Sequence, residues 1–175
     1  PIANRVKLKL TASGKDLDAL ENQLEEEISK VRPLLKAHII SENGDKIEEI
    51  LHDFLISRNL TISTAESCTG GELSHLITSV SGSSNYFLGG ICTYKTEKKT
   101  EILGVSEDLI KEKTVVSAEV AEAMSLGCQK LFKTDIALST TGVAGPNSDE
   151  FNSEIGTAYY CLLLRVVERN FRLYL

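Results

Sequence analysis

At 175 residues, 42% apolar and 25% charged, the chain can bury one ordinary core and a small appendage, and it is too apolar to be a disordered polypeptide. The formal net charge of -6 argues against a broad nucleic-acid surface, which needs Lys and Arg to neutralise phosphates. No apolar run approaches the length of a membrane span, and the opening PIANRVKLKL lacks the cationic and apolar regions of a secretory signal.

The cysteines, Cys68, Cys92, Cys128 and Cys161, are far apart and form no C-x-x-C pair. Neither a zinc site nor a disulfide framework is expected. Most of them read as small buried apolar groups in a reduced, cytoplasmic setting. The chain opens at Pro1 with no initiating methionine, so a fragment or a processed chain is expected.

In chain order, residues 5–11 alternate with Val6, Leu8 and Leu10 on one face and predict a half-buried strand. Leu17, Leu20, Leu24, Ile28 and Val31 recur at helical spacing, and Pro33 marks the exit from that helix. Residues 37–41 predict a second strand, which makes residues 1–45 a small α+β unit. The second unit, residues 46–175, begins with a helix carrying Ile47, Ile50, Leu51, Phe54 and Leu55 on one stripe. A strand over 60–64 then leads into the sequence AESCTGG, and Leu73, Leu76, Ile77 and Val80 predict the helix after it. Residues 86–94 read as a strand and 96–103 as a short helix. Ser117 caps a longer helix, and 135–141 is a buried strand. The glycine-rich loop TGVAGP and two further strands, 156–165 and 169–175, complete the chain. Strands alternating with helices predict an α/β fold with three α/β/α layers, and the final pair makes the sheet mixed.

Ser67, between Glu66 and Cys68, sits where a strand turns into a helix. Helix-start amides lack intrahelical partners, and Gly70 and Gly71 permit close approach to the backbone, so the segment suits a phosphate or an oxyanion. The same pattern is met in an ordinary helix cap at Ser67 or Thr69. It is neither a Walker loop nor a G-x-S-x-G elbow. His38, His52 and His75 are poorly placed to serve Ser67, which leaves a lysine of the T-Y-K-T-E-K-K segment as the candidate base. Lowering its pKa from about 10.4 to near 7 takes roughly 4 kcal/mol of environment.

Several motifs in fixed order, A-E-S-C-T-G-G, S-G-S-S-x-x-F-x-G-G, T-Y-x-x-x-x-K-x-x-x-L-G-V, V-S-x-E-V-A and T-G-V-A-G-P, resemble the CinA C-terminal family, which includes nicotinamide mononucleotide amidohydrolases. The resemblance runs from about residue 46 to the C-terminus. Residues 1–45 resemble the KH-like domain that precedes this module, although the G-x-x-G loop of RNA-binding KH domains is missing and the charges are nearly balanced.

The resemblance implies Ser67 as nucleophile, Lys99 as base and Tyr94 beside it. It implies substrate contacts from Glu66, Thr69, Gly70, Gly71, Thr141, Gly142, Ala144 and Gly145. The implied reaction turns nicotinamide mononucleotide into nicotinic acid mononucleotide and ammonia, without metal or organic cofactor. A homo-oligomer is expected, with no membrane or nucleic-acid partner. The alternatives are a hydrolase using Cys68 and a catalytically degenerate module that binds a nucleotide or a protein. In the family, the strand matching 171–175 is followed by a G-D-R-x-x-x-R segment. The sequence ends at Leu175 before any such segment, so the resemblance implies a longer chain.

Overall fold

The computed structural model describes residues 6–165 and 170–173. It divides into two compact units, Pro1–Ile47 and Glu48–Leu175. In the first, α1 (Leu17–Leu35) starts at Asp16, whose Oδ1 accepts from the Ala19 amide at 3.1 Å. The helix runs two residues past Pro33, because a proline forfeits only its own amide bond, and the Lys36 amide still closes on the Arg32 carbonyl. It buries no residue. Arg32 grips Glu42 through two bonds of 2.7 Å, tying the helix to the turn beyond it.

The α+β expectation for this unit is corrected: among its described residues there is no strand. Residues 6–11 are irregular, and Val6 is 86% exposed. A 3-10 turn, Lys36–His38, begins the segment expected as the second strand. Alternation alone does not make a strand; the backbone needs a partner ladder, and neither segment has one. Arg5 lies outside the described residues.

The second unit is a three-layer α/β/α domain around a five-stranded sheet of order β2-β1-β3-β4-β5. Its strands are β1 (Ile62–Glu66), β2 (Phe87–Cys92), β3 (Ile136–Gly142), β4 (Ala158–Arg165) and β5 (Asn170–Leu173). β1 is parallel to β2 and β3, whereas β4 runs antiparallel to β3 and to β5. The expected final strand is β5; residues 169, 174 and 175 of that expectation lie outside the described residues.

The helices are α2 (Ile47–Arg58), α3 (Glu72–Thr78), α4 (Thr96–Leu103), α5 (Glu107–Lys113) and α6 (Ala118–Phe132). α5 is an element that the sequence reading did not include; Ser106 caps it by accepting from the Leu109 amide.

Alternation along the parallel strands sends residues to two cores. Ala65 and Ala137 join Val120, Met124 and Cys128 of α6 and Leu103 of α4. Ile62 and Ile136 join Leu55 of α2, Ile77 of α3 and Tyr86. The small polar residues on the strands are paired within the fold: Ser63 Oγ lies 2.7 Å from Thr134 Oγ1, and Ser139 Oγ donates to the Ala121 carbonyl.

Gly127 lets α6 approach the end of α4 closely. A Cβ there would meet the Leu103 carbonyl oxygen at 2.0 Å and its carbon at 2.8 Å. Gly127→Ala is therefore expected to destabilise the domain by about 1–3 kcal/mol, despite the better helix propensity of alanine. Urea denaturation of the two proteins checks this; an alanine variant as stable as the parent would mean that α4 moves aside freely.

Candidate active site

The chain leaves β1 toward β2 on one side, and β3 leads to β4 on the other. The adjacent carboxyl ends of β1 and β3 thus flank a topological switch point, where open α/β sheets hold their ligands. Ser67 follows β1 directly, and the loop of residues 143–149 follows β3. Ser67 is 7% exposed.

The turn after Ser67 is closed by its own backbone. The Gly70 amide donates to the Ser67 carbonyl at 3.1 Å, and Gly71, at φ 105°, enters α3 in a left-handed conformation that favours glycine. Glu66 is fully buried and turns its carboxylate back into this turn. Oε2 accepts from the Gly71 and Leu73 amides at 3.0 Å each, and Oε1 from the Ser74 amide at 2.9 Å and the Ser74 hydroxyl at 2.7 Å. Burial pushes its pKa up, but the Ser74 hydroxyl and the amides of Ser74 and Leu73 outweigh that and hold it below the usual carboxylate range.

α4 starts just beyond β2 and delivers Lys99, a side chain only 1% exposed, to the same place. Its Nζ lies 3.0 Å from Ser67 Oγ and donates to the Thr93 carbonyl at 2.7 Å. Burial pushes the Lys99 pKa down; Cys92, Cys68, Glu150 and Glu97 oppose it without reversing it. Burial likewise pushes the Cys68 thiol up, against its own amide, the Thr140 hydroxyl and the Lys99 charge.

A cavity of about 230 Å³ opens over this pair. Of the residues anticipated from sequence, it brings together Ser67, Lys99, Tyr94, Thr141, Gly142, Ala144 and Gly145. Tyr94 forms a rim, 71% exposed, and the partners of the Lys99 amine are Ser67 and Thr93 rather than the Tyr94 hydroxyl. Glu66, Thr69, Gly70 and Gly71 are not among the residues that line this cavity. Their donors and acceptors serve the turn itself: Gly70 and Gly71 have spent their amides, and Thr69 Oγ1 pairs with Thr140 Oγ1 at 2.8 Å.

Sequence reading missed Thr96, Val115, Val116, Val143 and residues 147–149, which also line the wall. Val115 and Val116 look like ordinary core residues, and the Thr141 hydroxyl holds their segment by donating to the Val115 carbonyl at 2.8 Å. Only Thr96, two residues beyond Tyr94, carried a signal. No histidine lines the cavity. His52 Nδ1 is 3.2 Å from the Tyr86 hydroxyl, and His75 is exposed on α3. Among the described residues there is no metal-ligating cluster, and no helix is long and apolar enough to cross a membrane.

The sequence pattern of the CinA C-terminal domain matches residues 44–174. The chain belongs to the CinA family. A CinA-like protein of Flavobacterium psychrophilum is 45% identical over 93% of this chain and 39% of its own length. A putative competence-damage inducible protein of Moorella thermoacetica is 38% identical over 88% of this chain and 37% of its own. The chain thus spans about two-fifths of the length of these relatives. Among solved structures, a competence-damaged protein (CinA) superfamily member of Escherichia coli superposes with a TM-score of 0.67 at 27% identity, covering 81% of this chain and 84% of that one. The CinA match begins at residue 44, close to the boundary between the two units.

Proposed function

We propose that the domain hydrolyses the carboxamide of nicotinamide mononucleotide, giving nicotinic acid mononucleotide and ammonia, and that it does so with a Ser67–Lys99 pair. The observation that carries this reading is the buried 3.0 Å contact between Lys99 Nζ and Ser67 Oγ. A neutral lysine amine has two N–H donors and one lone pair. With one donor fixed on the Thr93 carbonyl, the lone pair is free to take the serine proton.

As Ser67 Oγ attacks the amide carbon, its proton passes to Lys99. The C–N bond of the tetrahedral intermediate then breaks, and Lys99 returns the proton to the departing ammonia. Water hydrolyses the Ser67 ester with Lys99 again as base, which restores the free hydroxyl. The oxyanion is assigned to the amide of Cys68, the residue after the nucleophile, since Gly70 and Gly71 have spent theirs. One such donor contributes roughly 3 kcal/mol to transition-state stabilisation. Tyr94, on the rim, suits stacking against a cationic pyridine ring, and the loop of residues 144–149 is assigned to the ribose phosphate. The reading places the protein in pyridine nucleotide recycling.

Incubating purified protein with nicotinamide mononucleotide is expected to release ammonia and nicotinic acid mononucleotide in equal amounts. A rate no higher than that of a heat-killed sample rejects the amidase reading in favour of a binding module. The raised Cys68 pKa speaks against a thiolate nucleophile. Cys68→Ala is accordingly expected to keep turnover within about an order of magnitude of the parent, because it loses cavity shape and not the attacking atom. A dead Cys68→Ala enzyme would move the nucleophile to sulfur.

A further inference from the structure

We infer that Glu66 is a positioning residue for Ser67, an internal anion that fixes the turn carrying the nucleophile. The inference rests on the amidase reading of the site. Glu66 ends β1, and the next residue is Ser67, so the serine's place depends on how the chain turns away from the sheet. Four hydrogen bonds of 2.7–3.0 Å run from the beginning of α3 to the two carboxylate oxygens, and the Ser74 hydroxyl that supplies one also lies 2.7 Å from Thr64 Oγ1 on β1. Strand, turn and helix are thereby joined on both flanks of residues 67–70.

A carboxylate in this place accepts from all four donors at once. A carboxamide of the same shape presents two N–H groups to donors and must lose contacts or rotate. The occupied helix start also means that the negative groups of a substrate are met elsewhere in the cavity, while the turn keeps its own counter-anion. Glu66 touches no reacting atom. Its effect passes through the backbone to the Ser67 hydroxyl, where a displacement of about 1 Å is enough to cost on the order of 100-fold in rate.

The test compares Glu66→Gln with the parent protein. Readouts are kcat and KM on nicotinamide mononucleotide, labelling of Ser67 by a fluorophosphonate, the melting temperature, and hydrogen exchange of the Gly71, Leu73 and Ser74 amides. The expected result is a kcat lowered about 10- to 100-fold per folded molecule, with KM within about twofold, slower labelling and faster exchange at those three amides. A kcat within twofold of the parent overturns the inference. So does a loss that merely follows the folded fraction, since a purely structural residue lowers the number of active molecules and not the turnover of each. If the parent itself neither turns over nor labels, the amidase reading fails instead. The exchange result then decides the positioning inference alone, and unchanged protection at the three amides overturns it.

Discussion

Replacing Ser67 or Lys99 by alanine is expected to lower kcat by about 10⁴-fold or more, and the double variant is expected to be no worse than either single one. Among the described residues Lys99 is the base in hydrogen-bond contact with the Ser67 hydroxyl, and no histidine lines the cavity. In the proposed mechanism the two groups act in one proton transfer, so either loss removes the whole step. Steady-state ammonia release from the three variants measures this. A Lys99→Ala protein retaining a tenth of parental turnover would exclude Lys99 as the base, and losses that multiplied in the double variant would show that the groups act separately.

The second large effect is on pH. In the proposed mechanism the reactive form of Lys99 is the neutral amine, and burial holds its pKa below the ordinary 10.5. Turnover is therefore expected to rise with pH, roughly tenfold per unit below the midpoint, and to level off at a midpoint below that of free lysine. A rate still climbing in proportion to hydroxide up to 10.5 would contradict a buried neutral base.

Stability gives an independent measure of the same shift. Between the folded pKa of Lys99 and 10.5 the unfolded chain binds more protons at this site than the native one, so stability rises with pH across that window. Below the folded value both states are protonated and the slope from this group vanishes. Lys99→Met fills the same space without titrating. Relative to that variant, the parent is expected to gain stability as pH rises through the window. Parallel curves would mean that the fold leaves the lysine unperturbed.

Much of the second unit was legible in the sequence. The short strand-forming runs around Ile62 and Ile136 and the Ser117 cap of α6 are local signals, and local physics carries them into the fold. The first unit shows the limit of such signals: Val6, Leu8 and Leu10 alternate properly, yet no ladder forms there. The site divides in the same way. Ser67 and the loop after β3 stand out because strand-to-helix and glycine-rich turns have their own chemistry. The resemblance implied ligand contacts at Glu66 and the glycine pair, and sequence cannot show where a carboxylate turns. Here it turned inward and took up the amides that seemed free.

By itself, then, the sequence determined the alternation of strands and helices, the position of the strand-to-helix turn at Ser67 and, through motifs in fixed order, the family. These depend on neighbouring residues and on patterns that survive without coordinates. The motifs already pointed to Lys99, but only the tertiary structure decided that its amine lies 3.0 Å from Ser67 Oγ, that Thr93 holds it through a carbonyl, and that Val115 and Val116 wall the cavity. Lys98 and Lys99 are adjacent in the sequence, but α4 turns one toward solvent and the other into the switch point between β1 and β3. A helix face is chosen by packing against the sheet, and the pKa of the buried amine follows from that burial rather than from its neighbours in the chain.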